Sequence, residues 1–145
     1  MHVAAYCGGN SFSSNKSKLC LNLEAKESEE ETLNSKYSNY IEIVDLLCKA
    51  GSRVNSKDIK SLTPLHYACR SNAHEVVRIL LDYQADVNSR DKNWQAALHI
   101  CAMYNSEKCA SYLLEHMVNI DVSDRQGRSA LAHAAFNGNI EVKIV

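Results

Sequence analysis

His99 stands two residues before Cys101 and eight after Asp91, and His66 stands three residues before Cys69. An imidazole beside a thiol invites two chemical readings, an activated nucleophile or a metal ligand set. The first needs a thiolate, a base within hydrogen-bond reach and a pocket for the oxyanion. The second needs a tetrahedral set of ligands at characteristic spacing. The six cysteines, Cys7, Cys20, Cys48, Cys69, Cys101 and Cys109, include no CxxC pair and form no extracellular-type framework, so reduced thiols are expected.

The spacing of the two histidines points elsewhere. They lie 99 − 66 = 33 residues apart, and the same interval separates Asp58, Asp91 and Asp124, and again Leu65, Leu98 and Leu131. Asn55 and Asn88 align with Asp121 in this register. A fixed period of this length marks stacked structural units, none of which buries its apolar face alone. Both histidines fall three residues after a helix start, where an imidazole bonds backbone groups and links neighbouring loops. Cys69 and Cys101 fall where alanine serves in the sister units, at Ala102 and Ala68, and a buried cysteine packs as a small hydrophobe. His66 and His99 are therefore read as structural, with no catalytic, cofactor-binding or metal-binding residue in the chain.

Each unit predicts two helices. Thr63 offers a capping hydroxyl, and Pro64 occupies the first helical position, where a missing N–H costs nothing. Leu65, Ala68 and Cys69 form a stripe of mostly small residues that lets a neighbouring helix approach closely. A second helix is expected near Glu75, burying Val76, Val77, Leu80 and Leu81. The stretch "ADVNSRDKNW" between units is too polar to be core and is expected to project outside it. Ala96 and Ala97 replace Thr63 and Pro64 one unit later, removing a cap worth about 1 kcal/mol and predicting a weaker helix start. Ala132 replaces the histidine in the last unit.

The stretch "TPLHYA", followed by "HEVVRILL" and "ADVN" at this period, resembles the ankyrin repeat consensus. The resemblance implies an all-α solenoid of helix pairs joined by fingers. Its units are a split repeat over residues 1–57, repeats over 58–90 and 91–123, and a truncated repeat over 124–145. Gln84 and Met117 stand where the family prefers glycine after the second helix, which predicts local strain or an altered turn; Gly51 keeps the glycine. "MHVAAYCGG" matches the family's first helix, but the second half resumes only at Asn39. The intervening residues 9–38, rich in serine and carrying "KESEEE", are expected to form a disordered loop. Val145 falls inside a second helix with no polar capping unit after it, so the chain is expected to be a piece of a longer array.

Sixteen basic against seventeen acidic residues give a formal charge of −1, so the overall field attracts neither nucleic acid nor an anionic membrane. No apolar run approaches the roughly 20 residues that span a bilayer, and no secretory pattern opens the sequence. A cytoplasmic or nuclear setting is expected.

The family's work is protein recognition, and the resemblance implies where it lies: the residues flanking each fingertip and ending each first helix. These are Ile59, Lys60, Leu62, Arg70 and Ser71; then Lys92, Asn93, Gln95, Met103 and Tyr104; then Arg125, Gln126, Arg128, Phe136 and Asn137. Five are basic and none is acidic, whereas the outer helices carry Glu75, Asp82, Glu107, Glu115 and Glu141. Such a face suits an acidic or phosphorylated protein segment.

Beyond the consensus, "RDKNWQ", "LHI", "KCA", "VSDRQGR" and "AL" followed by "HAAFNG" are similar to consecutive repeats of the ankyrin repeat regulatory subunits of protein phosphatase 6. Trp94 in a glycine position, Lys108, Cys109, Ala110 and Phe136 are choices that the fold does not demand. This similarity spans approximately residues 58–141 and implies a non-catalytic scaffold that helps a Ser/Thr phosphatase catalytic subunit and its adaptor reach substrates. Two other roles fit the same repeats: an adaptor for cytoskeletal, membrane or signalling partners, and the repeat portion of a larger enzyme.

Overall fold

The computed structural model describes residues 26–138, with side chains from residue 38 onward. Six helices follow one another: α1 (Lys26–Lys49), α2 (Pro64–Arg70), α3 (His74–Asp82), α4 (Ala97–Tyr104), α5 (Glu107–Leu114) and α6 (Ala130–Asn137). Among the described residues there is no strand, only an isolated antiparallel bridge between Ser123 and Ser129. No helix among them is long and apolar enough to cross a membrane.

Helices of seven to nine residues, such as α2 and α3, are too short to persist alone in water, so packing must hold them. Two rows result. The inner row runs α2, α4, α6 and the outer row α1, α3, α5, with α2 paired to α3 and α4 to α5. Leu65, Leu80, Leu98 and Leu113 are fully buried between the rows, and Ala68, Cys69, Cys101, Ala102 and Cys109 fill the narrow gaps between helices. The expected stripe of α3 is buried at Val76, Val77, Leu80 and Leu81, joined by Ile79. The architecture is the all-α solenoid that the period predicts.

The turn within each helix pair repeats as well. Asn72, Asn105 and Gly138, one period apart, all adopt left-handed backbone, which asparagine tolerates and glycine favours. After the outer helices the three units diverge. Gly51 (φ 87°) and Gln84 (φ 61°) share the left-handed turn, so Gln84 is strained, whereas Met117 has no positive φ and follows an altered turn. Asn55 and Asn88 clip successive units together. The Oδ1 atom of Asn55 accepts the Asp86 N–H at 2.8 Å, and that of Asn88 accepts the Asn119 N–H at 2.9 Å.

Two expectations require correction. Residues 26–38 belong to α1 rather than to a disordered loop; residues 9–25 of that expected loop lie outside the described residues. The run from Lys26 to Lys49 contains no glycine or proline, and its early glutamates favour the positive end of a helix. The polar fingers are not wholly outside the core: Ser89, Asp91, Gln95 and Asp124 are buried, the two carboxylates accepting backbone N–H groups. The start of α4 has no side-chain cap, as the exchange to Ala96 predicts, but it keeps a reciprocal bond to its histidine. His99 Nδ1 accepts the Ala96 N–H at 3.2 Å, as His66 Nδ1 accepts the Thr63 N–H at the same distance. In the last unit, where Ala132 replaces the histidine, the Ser129 hydroxyl instead accepts the Ala132 N–H at 3.3 Å. The two halves of a capping box are thus divided between units.

Candidate functional site

Three aspartates build the fingers. Asp58 Oδ1 accepts the N–H groups of Lys60 and Leu62 at 2.8 and 2.9 Å. Asp91 Oδ1 accepts those of Asn93 and Gln95, both at 2.8 Å, and Asp124 Oδ1 those of Gln126 and Arg128, both at 2.9 Å. Each Oδ1 is taken up by backbone N–H groups of its own finger, and the exposed charges at the tips are cationic: Lys60, Lys92 and Arg125. Adjacent tips are bonded to one another, the Lys92 N–H to the Lys60 carbonyl at 3.1 Å and the Arg125 N–H to the Asn93 carbonyl at 3.0 Å. Positive side chains are thereby held in a row.

A groove of about 440 Å³ opens between the first two fingers and the ends of α2 and α4. It brings together Lys60, Leu62, Arg70, Lys92, Asn93, Gln95, Met103 and Tyr104 from the sequence-derived set, with His66, Tyr67, Asp91 and Ile100. Arg70 lies over the Tyr104 ring, 5.5 Å from its centroid, a cation–π contact that keeps the guanidinium at the rim. Leu62, Ile100, Met103 and Tyr104 supply apolar surface. Gln95 is buried at the base of its finger, so its backbone does more here than its side chain.

His66 fixes the geometry of this groove. The Thr63 hydroxyl and N–H both point to Nδ1, at 2.8 and 3.2 Å, so Nδ1 accepts and Nε2–H donates to the Gln95 carbonyl at 3.1 Å. That bond ties α2 to the second finger, and burial lowers the His66 pKa below its ordinary value, favouring the neutral ring. His99 is equally buried; its Nε2 lacks a hydrogen bond of good geometry, with the Arg128 and Val122 backbones nearby. The His133 ring meets it edge-on with centroids 5.9 Å apart.

The other sequence-derived residues lie outside the groove. Ile59 projects from the first tip at 85% exposure, and Ser71 caps the end of α2. Arg125 and Gln126 lie in the third finger; there Arg128 is engaged by the Asp124 carboxylate and the Gln126 side chain. Phe136 is exposed at the end of α6, and the Asn137 side chain donates to the Met103 carbonyl at 3.4 Å. Tyr67 and Ile100 were missed as lining residues. Helical spacing could have found them, since they stand one period apart and three residues before Arg70 and Met103.

Tyr67 has a second task, donating its hydroxyl to Asp58 Oδ2 at 2.5 Å. Two periods later His133 takes that place, donating from Nε2 to Asp124 Oδ2 at 2.8 Å. The histidine missing at Ala132 is thus replaced by one a residue later with a different job. Burial alone would raise the Asp124 pKa. The Arg128 N–H, the His133 ring, the Gln126 N–H and the Arg128 charge outweigh burial and hold the carboxyl well below the ordinary carboxylate range.

Trp94 is the most strained fingertip residue. Ser61, Trp94 and Gly127 share the same left-handed position, with φ of 61°, 63° and 77°. For a bulky residue that conformation costs about 1–2 kcal/mol. The Arg90 guanidinium lies 5.3 Å from the ring centroid, an exposed cation–π contact returning about 0.5–1 kcal/mol.

The Cys69, Cys101 and Cys109 thiols are poorly placed to act as nucleophiles. Cys69 and Cys101 are fully inaccessible; the neighbouring Cys101 thiol and burial push the Cys69 pKa far up, and the Cys69 thiol together with burial does the same to Cys109. Among the described residues, no group of three or more His, Cys, Asp and Glu could hold a metal ion.

No curated protein matches the sequence significantly. The family model for ankyrin repeats, in three copies, matches residues 1–91 and 89–144. Ankyrin repeats are in general non-catalytic protein-interaction modules, and the two helix rows, the bonded fingers and the concave groove are the parts of such a module. With a match across nearly all of its length, the chain belongs to the ankyrin repeat family.

Proposed function

We propose that this chain is a non-catalytic scaffold whose groove and fingertips hold an acidic or phosphorylated segment of a protein partner. The observation that carries the reading is the one-sided charge of the fingers. Asp58, Asp91 and Asp124 turn inward onto backbone N–H groups, while Lys60, Lys92 and Arg125 face outward and Arg70 stands at the groove rim. Such a surface steers anionic partners and weakens as salt screens it. Exchanging Lys92 and Arg125 together for glutamate is expected to weaken binding of a glutamate-rich peptide at least tenfold, with little change in melting temperature. Titration calorimetry at low and high salt checks this. Affinity that is indifferent to salt and to the double exchange would contradict it.

A more specific role, the regulatory or targeting subunit of a Ser/Thr phosphatase, rests on the similarity of "RDKNWQ" and "VSDRQGR" to subunits of the protein phosphatase 6 holoenzyme. In that role the chain is not itself an enzyme, its partners are the phosphatase catalytic and adaptor subunits, and it works in the cytoplasm or nucleus. Affinity purification of the chain from its native cells tests this. Recovery of phosphatase subunits supports the role, and recovery of cytoskeletal or channel proteins instead supports the general adaptor.

A further inference from the structure

We infer that Trp94 is a second anchor point, outside the groove, for an apolar side chain of the acidic partner segment, received at the tip of the second finger. This rests on the reading of the fingers as a surface for acidic protein segments. Three observations carry it.

Trp94 occupies a left-handed position filled by serine and glycine in the sister fingers, so the backbone there does not require a large side chain and is strained by one. The indole is 54% exposed and is not part of the buried core, so folding gains little from it. An exposed aromatic held at a conformational cost is explained by what it contacts in a complex, where tryptophan is enriched at energetic centres.

The surroundings define the partner. Ile59 projects from the neighbouring tip at 85% exposure, and the bond between the Lys92 N–H and the Lys60 carbonyl holds these two fingers side by side. Lys60 and Lys92 stand exposed on the same two tips, and Arg90 lies against the indole. The carboxylates of Asp58 and Asp91 are turned onto backbone N–H groups. The two tips therefore combine exposed apolar residues with exposed cations, which is complementary to an extended segment of Asp and Glu interrupted by an aliphatic or aromatic residue.

Trp94 is the chain's only tryptophan, so its emission reports on this position directly. The test uses a short peptide rich in glutamate and aspartate with one central leucine, its twin with serine in place of leucine, a glutamine-substituted neutral version and an oligothymidylate. The leucine peptide is expected to bind about tenfold tighter than the serine twin and to shift Trp94 emission to the blue. In Trp94→Gly that difference should vanish while the serine twin binds as before. Melting no lower than the wild-type chain shows that the fold is kept, and Trp94→Ser provides a second check.

Equal affinity of the two acidic peptides, with unchanged emission, would overturn the anchor and leave the acidic-segment reading standing. Binding of neither acidic peptide above the neutral version would overturn both. An emission shift with oligothymidylate in preference to the leucine peptide would overturn the peptide anchor in favour of base stacking.

Discussion

Leu98→Ala is expected to lower stability by about 2–5 kcal/mol, a large part of what a domain of this size possesses. Leu98 is 1% exposed in α4, the helix that packs against both α2 and α6, so the cavity would open in the middle of the inner row. In a solenoid each unit is stabilised chiefly by its neighbours, so the loss should spread to both sides of α4. Leu131→Ala is the matched control, one period later but 57% exposed, and should cost about 0.5 kcal/mol or less. Denaturant unfolding followed by circular dichroism measures both. Equal costs at the two positions would refute the stacking account.

Asp124→Ala should cost about 3 kcal/mol, because it orphans the N–H groups of Gln126 and Arg128 and the buried His133 ring at once. Asp124→Asn keeps an oxygen for the two N–H groups and should cost clearly less. The same residue sets the acid response. Its folded pKa lies below the unfolded value near 3.8, so its contribution is present above that value and is lost as the pH falls from there through the folded value. His66 and His99 act at higher pH. Burial lowers both below 6.5, so the unfolded chain binds protons that the folded chain refuses; their contribution is complete above pH 6.5 and declines as the pH falls through the folded values. Melting temperature against pH should therefore fall in two stages, and Asp124→Asn should reduce the lower stage alone.

The period of His66 and His99 carried most of the fold, because a repeat that buries each unit against the next requires the same residues in the same places. Eight residues of the expected recognition set converge on one groove for the same reason: they occupy equivalent positions around successive fingers. What remained hidden depends on departures from the repeat. The helical state of residues 26–38 was masked by a charged, serine-rich composition that resembles a loop. The Asp124–His133 bond could not be read from a histidine that had slipped by one position, since only the fold shows that it stands where Tyr67 stands. Trp94 was visible as a glycine substitution, but its exposure and left-handed backbone are properties of the folded finger.

We propose that the concave groove, with its bonded row of cationic fingertips, serves as the recognition surface. Amide chemical shifts of the full chain, recorded by NMR during titration with a glutamate-rich peptide, test it most directly. Salt-sensitive perturbations are expected at Lys60, Arg70, Lys92, Asn93, Met103 and Tyr104, with the outer helices α3 and α5 unmoved. Perturbations concentrated on α3 and α5, or a groove that does not respond to the peptide, would contradict the proposal.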